Sequence, residues 1–189
     1  MGAFQPFESH VVRWRPASGD GLEHLTVTAK DDSIVARSVV IGERGGIPYG
    51  VRYTIACDSS WKVQSLDLET TAGQELHLQS DGNGRWTDTD GRARPDFDGC
   101  IDVDLAGTPF TNTLPIRRLD LDMNDGTVEL SMLYIPFDTF APTVDGQRYR
   151  CLESGRLFRY EAADRSFTAD LPVDGYGFVL DYPTLFARI

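Results

Sequence analysis

The segment from Thr108 to Leu119, TPFTNTLPIRRL, constrains the fold more than any other part of this chain. Thr111, Asn112 and Thr113 carry side chains that can accept hydrogen bonds from the free N–H groups of a first helical turn. Pro115 is compatible with a helix start, because the N–H that it lacks would have no partner there. The rest of the chain is typical of β-strands. The apolar side of this single short helix is therefore protected from water only if the sheet wraps around it.

Alternation of apolar and polar residues at period two recurs along the chain and predicts many strands. Its clearest instance runs from Tyr49 to Cys57, and a slip of phase at Gln64–Ser65 indicates a β-bulge. Turn signals separate the runs at the spacing of antiparallel hairpins. The total of about 12–15 strands is too large for a flat open sheet. We therefore expect a mainly β fold, a long antiparallel sheet rolled around a single α-helix, forming one domain over residues 1–189.

The net charge of −11 argues against binding to nucleic acid or to an anionic membrane surface, because both would repel the chain. No apolar run is long enough for a membrane-spanning helix, and the N-terminal segment lacks the pattern of a secretory signal. Cys57, Cys100 and Cys151 are odd in number and widely spaced, which is typical of free thiols in a reducing compartment. We predict a cytoplasmic protein with no membrane insertion, no nucleic-acid partner and no cofactor.

Several motifs occur in the order found in a known family. They are GDGLEHL (19–25), DGNGRW (81–86), DGCIDVDL (98–105), TPFTNTLPIRRL (108–119) and FTADLPVDGYGFVLDYPTLF (167–186). Together they span nearly the whole chain, which resembles the bacterial family described as "putative glycolipid-binding". The resemblance implies a spiral β-roll, in which one long antiparallel sheet wraps around a single helix. It also implies a homodimer and a glycolipid or lipid ligand.

Glu23 is the sharpest polar candidate, because it shares the inward parity of Leu25 while His24 points the opposite way. An inward carboxylate needs a donor, since an unpaired buried charge is very costly. We expect Arg117 or Arg118 of the enclosed helix to form a bidentate pair with it. Two interpretations stay open. The pair either fixes the helix against the sheet, or lies at the base of a ligand cavity and contacts a headgroup.

Aromatic side chains supply the other predicted ligand contacts, since they line apolar pockets and stack on sugar faces. Those that would suit a glycolipid site are Trp14, Tyr53, Trp61, Trp86, Tyr134 and Tyr149, and the alternative for each is ordinary core packing. Trp86 follows a Gly-rich turn and is expected to be the most exposed of them. The predicted ligand-binding set is Trp14, Glu23, Tyr53, Asn112, Arg117, Arg118 and Tyr149.

The remaining motifs favour neither a metal site nor catalysis. Asp102 and Asp104 alternate with apolar residues, and we expect them to form a solvated acidic face rather than a metal site. Glu23 and His24 would be the acid–base pair of an enzyme, yet strand parity predicts that they diverge. We therefore predict a non-catalytic protein that holds an apolar ligand in the trough between sheet and helix. An enzyme acting on a small or lipid-like substrate and a ligand-free structural dimer stay open as alternatives.

Overall fold

The computed structural model describes residues 3–189, and Met1 and Gly2 of the predicted domain lie outside the described residues. Within that range the fold is mainly β, as predicted, with fourteen strands and one short α-helix, α1 (Thr113–Leu119). The strands are β1 (Ser9–Pro16), β2 (Leu22–Lys30), β3 (Ser33–Arg44), β4 (Ile47–Asp58), β5 (Val63–Thr70), β6 (Glu75–Ser80), β7 (Trp86–Asp88), β8 (Asp102–Leu105), β9 (Thr127–Ile135), β10 (Thr143–Glu153), β11 (Leu157–Ala162), β12 (Thr168–Pro172), β13 (Asp181–Tyr182) and β14 (Phe186–Arg188).

The first sheet has nine strands in the order β13-β14-β1-β2-β3-β4-β5-β6-β7. Every neighbouring pair in it is antiparallel. The inward face carries the predicted apolar alternation, so Val51, Tyr53 and Ile55 of β4 are all buried. Opposite β4, strand β5 contains the extra residue Gln64, which confirms the predicted bulge.

The second sheet has five strands in the order β12-β11-β10-β9-β8, and its β8–β9 pair is parallel. A seam joins it to the first sheet through the turn that follows β12. There the Leu180 N–H donates to the Pro172 carbonyl at 2.8 Å, and the Arg188 N–H donates to the Leu180 carbonyl at 3.1 Å. The two sheets form one roll, and Leu114 and Ile116 of α1 are buried inside it.

The predicted capping of the helix by Thr111, Asn112 and Thr113 is wrong. A 3-10 turn over Phe110–Asn112 precedes α1, and among the described residues no side chain caps the helix at Asn112. The hydroxyl of Thr108 takes this role one turn earlier, where it accepts from the Phe110 N–H at 3.0 Å. The 3-10 turn satisfies the next N–H groups with its own carbonyls, so the capping position moves upstream.

The predicted exposure of Trp86 is also wrong, since its side chain is only 1% exposed. The chain after β7 folds back over this residue, and the Gly99 N–H donates to the Gly84 carbonyl at 2.9 Å. The indole of Trp86 then donates to the Cys100 carbonyl at 2.8 Å. A Gly-rich turn marks where the chain reverses, but it gives no information about which segment covers the next side chain.

Candidate ligand cavity

A cavity of about 550 Å³ lies between the two sheets, beside the turn that connects β3 and β4. Strands β1 to β4 form one side of its wall, and residues of β8 to β11 form the other. Aromatic side chains supply much of the lining: Trp14, Tyr49, Tyr134, Tyr160, Phe167, Tyr182 and Phe186. Rings of this kind offer flat apolar surface together with polar groups at their edges.

The inner part of the cavity is polar. Glu23, Thr108 and Asn112 line it and are almost fully buried, and the partly buried Asp104 lies beside them. We call these four residues the polar wall. Buried polar side chains are nearly always hydrogen-bonded, so an unpaired polar atom in the polar wall requires an explanation.

The mouth of the cavity carries an apolar patch among polar side chains such as Ser18, Glu43 and Thr184. Leu22, Ile41 and Leu185 line it while remaining 39%, 54% and 40% exposed. We call these three residues the apolar rim. Exposed apolar side chains at the entrance of a cavity are typical of a place where another apolar group binds. The cavity therefore combines an apolar patch at its mouth with a buried polar wall.

Glu23 has one satisfied and one free carboxylate oxygen. Its Oε1 accepts from the hydroxyl of Ser38 at 2.8 Å and from that of Tyr53 at 2.7 Å. Its Oε2 is buried and has no hydrogen-bond partner among the described residues. Burial raises the pKa of Glu23 to about 7, although the nearby hydroxyls of Thr108, Tyr53 and Ser38 oppose the increase. The group is thus close to half protonated at neutral pH.

The predicted pairing of Glu23 with Arg117 or Arg118 is wrong. Arg118 instead binds Asp102 of β8 through Nε–Oδ1 at 3.1 Å and Nη2–Oδ2 at 2.5 Å. Arg117 donates to the Tyr176 carbonyl at 2.9 Å. Both arginines lie in the last turn of α1. They therefore reach neighbouring segments on the far side from β2, and Glu23 receives its donors from β3 and β4.

The solvated acidic face predicted at Asp102 and Asp104 is wrong as well. Asp102 is 1% exposed and paired with Arg118. Asp104 accepts from the Gln147 amide at 2.6 Å and from the Thr111 hydroxyl at 3.1 Å, and its burial raises its pKa. Strand β8 is an edge strand whose side chains are buried or partly buried on both faces, so alternation along it does not distinguish inside from outside.

The predicted ligand-binding residues divide into three groups by position. Trp14, Glu23 and Asn112 line the cavity. Tyr53 and Tyr149 pack behind the polar wall and hold it, since Tyr53 donates to Glu23 and the Tyr149 hydroxyl donates to Asn112 Oδ1 at 2.8 Å. Arg117 and Arg118 lie elsewhere, in the contacts described above.

Sequence reasoning missed residues that line the cavity or hold its polar wall. Ser38, which orients Glu23, has the same inward parity as Ala36 and Val40, so alternation in β3 could have identified it. Tyr49 lies on the apolar face of β4, so the alternation from Tyr49 to Cys57 could have identified it too. For Thr108 the sequence contains no comparable signal, since its position depends on the turn before α1.

Glu23 and His24 diverge, as predicted. Glu23 lines the cavity, whereas His24 lies on the outer face, where its Nδ1 accepts from Arg13 Nε at 3.0 Å. The three cysteines are free and buried, and burial raises the pKa of Cys100 to about 11. Residues 3–189 contain no cluster of three or more His, Cys, Asp or Glu side chains suited to a metal ion. No helix in the described part of the chain is long and apolar enough to cross a membrane.

The fold and this cavity define a class of β-roll proteins, in which a rolled sheet encloses a short helix and leaves an interior cavity. The chain belongs to the family described as "putative glycolipid-binding", which matches residues 11–188. It is also similar to a DUF1089 family protein from Pseudomonas aeruginosa of known crystal structure. That protein is 39% identical, with a TM-score of 0.78 over 93% of this chain and 95% of its own. The search of curated proteins finds no match.

Proposed function

We propose that this protein binds a glycolipid without catalysing a reaction on it. The sugar head occupies the polar wall, and the lipid chain leaves the cavity across the apolar rim. The observation that carries the proposal is that one cavity holds both an exposed apolar patch, Leu22, Ile41 and Leu185, and the buried polar groups of Glu23 and Asn112. The description of the family supports the same ligand class.

The dimensions of the cavity support a sugar with the beginning of one chain. Its volume of about 550 Å³ lies within the range of small-molecule sites, roughly 300–1,000 Å³. Trp14, Tyr49 and Tyr160 offer aromatic surface for a sugar face. Each CH₂ group that leaves water against the apolar rim contributes about 0.8 kcal/mol. The cavity lies between the two sheets, and its polar base is suited to the head of the ligand rather than to the tail.

The proposal is tested with octyl β-D-glucoside below its micelle concentration, using isothermal titration calorimetry. Octanol and glucose serve as the two separate halves of the ligand. We expect the joined molecule to bind at least about ten-fold more tightly than either half, because head and chain are both held. Equal affinity of octanol and octyl glucoside would contradict the proposed place of the sugar.

A variant that fills the cavity locates the site. Ala106 lies in the cavity wall, so Ala106→Trp should abolish binding of octyl glucoside. Ala72→Trp is the matched control, because Ala72 is an exposed residue in the turn between β5 and β6. Unchanged binding by the Ala106→Trp variant would contradict the proposal.

The other expectations from the sequence stay predictions. A homodimer is tested by sedimentation, and a single domain by limited proteolysis. A ligand-free structural dimer would be favoured by a fully packed interior, which the cavity beside Glu23 does not support. An enzyme using Glu23 with His24 is not supported either, since these two side chains lie on opposite faces of β2.

A further inference from the structure

We propose that the cavity takes a sugar head that carries no anionic group, and that Glu23 Oε2 accepts a hydrogen bond from one of its hydroxyls. This inference rests on the proposed function and specifies the class of head that the site accepts. It derives from the free carboxylate oxygen and from the charges around it.

The free oxygen requires a donor from the ligand. Glu23 is 2% exposed and lines the cavity, and its Oε2 is buried from water without a partner among the described residues. Ser38 and Tyr53 both donate to the other oxygen, and they fix the orientation of the carboxylate. A sugar hydroxyl can donate to Oε2. An ionised phosphate or carboxylate offers acceptors only, and cannot donate to the ionised form of Glu23.

The charges that line the cavity also disfavour an anion. Four carboxyl groups contribute to the lining, those of Glu23, Glu43, Asp104 and Asp145, whereas Arg44 contributes a guanidinium. That guanidinium is already engaged, since it donates to the Tyr134 hydroxyl at 2.5 Å and lies 3.9 Å from Asp138. Like charges repel strongly in a partly buried cavity, where screening by water is weak. An anionic head would therefore lack a free cation and face several carboxylates.

The test compares two ligands that differ in one group, octyl β-D-glucoside and octyl β-D-glucuronide. The glucuronide carries a carboxylate in place of the terminal CH₂OH and keeps the same chain. In calorimetric titrations of the unmodified protein at low salt, the glucuronide should bind at least about ten-fold more weakly than the glucoside. High salt should reduce this ratio, because screening weakens the repulsion.

Glu23→Gln isolates the role of the carboxylate. This substitution should weaken binding of the glucoside by about five-fold or more. It should also bring the ratio of glucoside affinity to glucuronide affinity below about three-fold. Glu75→Gln is the matched control, because Glu75 is exposed on the outer face and its replacement removes the same charge. We expect the control to leave the ratio unchanged.

The outcomes separate this inference from the proposed function. Equal affinity of glucoside and glucuronide for the unmodified protein would overturn the inference and leave glycolipid binding standing. Absence of binding by either compound would overturn both. If the unmodified protein discriminates but Glu23→Gln discriminates equally well, the assignment of Glu23 is overturned. The comparison of ligands on the unmodified protein stays decisive even if the Glu23→Gln variant does not fold.

Discussion

Glu23 and Asp102 are both buried carboxylates of this roll, but their surroundings differ. Asp102 binds Arg118 through both of its oxygens and is 1% exposed. Glu23 is equally buried, but its two donors share one oxygen, and the other oxygen is buried without a partner among the described residues. A buried acid with a complete set of donors stabilises the structure. A buried acid that keeps one acceptor free beside a cavity is poised for a ligand.

The difference follows from the positions of the two strands. Asp102 lies on β8, beside the last turn of α1, where Arg118 also interacts favourably with the helix dipole. Glu23 lies on β2, and the residues that reach it are the neutral hydroxyls of Ser38 and Tyr53 on the next two strands. Arg118 thus belongs to the structural pair, and Glu23 has no arginine partner among the described residues.

Removing the partner of Asp102 should have the largest effect on stability. Arg118→Leu leaves Asp102 buried and unpaired, and should lower the free energy of unfolding by about 3–5 kcal/mol. Urea denaturation at neutral pH measures it. Arg150→Leu, an exposed control in β10, should change the free energy by less than about 0.5 kcal/mol. A loss below about 1 kcal/mol for Arg118→Leu would contradict the structural role of the pair.

Glu23 should make stability depend on pH. Its pKa in the folded state is about 7, above its usual 4.5, so the folded protein binds the proton more tightly than the unfolded chain. The contribution is complete below the unfolded pKa and is lost as pH rises through the folded pKa. Between pH 4.5 and about pH 8, the free energy of unfolding should fall by about 3 kcal/mol more for the unmodified protein than for the Glu23→Gln variant. Parallel pH profiles for the two proteins would refute the raised pKa.

Tyr53 should stabilise the ionised form of Glu23 more than the neutral form. Tyr53→Phe removes one of the two hydroxyl donors to Oε1 of Glu23. It should lower the free energy of unfolding by about 1–2 kcal/mol at about pH 8. At about pH 5, where Glu23 is protonated in the folded state, the cost should be smaller. Ser38→Ala should follow the same pattern, since it removes the other donor. A cost that does not vary with pH would indicate lost packing instead.

The smallest effect is expected for the exposed Asp67–His77 pair on the outer face. A hydrogen bond from His77 Nδ1 to Asp67 at 2.8 Å raises the pKa of His77. Its stabilising effect is present below the unfolded pKa and lost as pH rises through the raised folded pKa. The His77 side chain is 40% exposed, so His77→Gln should cost well under about 1 kcal/mol at about pH 5.5. A cost comparable to that of Arg118→Leu would show that burial is not what distinguishes these acids.

The sequence predicted the fold well because the fold depends on local patterns. Alternation, hairpin turns and one isolated helix together indicate a roll, and the phase slip at Gln64 located the bulge. Parity along β2 also placed Glu23 inside and His24 outside. The partners of Glu23 were not predictable in this way. They depend on which strands neighbour β2 and on the path of α1, and both are set by contacts between distant segments.

Strand β8 shows a second limit of the sequence. Alternation of apolar and polar residues shows which face points inward only where the other face is exposed to water. The side chains of β8 are buried or partly buried on both faces. Asp102 and Asp104 therefore had the pattern of a solvated face while lying in the interior. Their partners Arg118 and Gln147 come from α1 and β10, at positions whose proximity only the folded chain establishes.

The most direct measurement follows the ¹³C carboxyl resonances of Glu23 and Asp102 by NMR during titration with octyl β-D-glucoside. We expect the Glu23 resonance to titrate with a pKa of about 7 in the free protein. When the glucoside is added, the resonance should shift until the site is saturated. The Asp102 resonance should not respond to the glucoside, since its oxygens are already bound by Arg118. A Glu23 resonance that ignores the glucoside, or one that shifts no more than Asp102, would contradict the assignment of Glu23 to the ligand site.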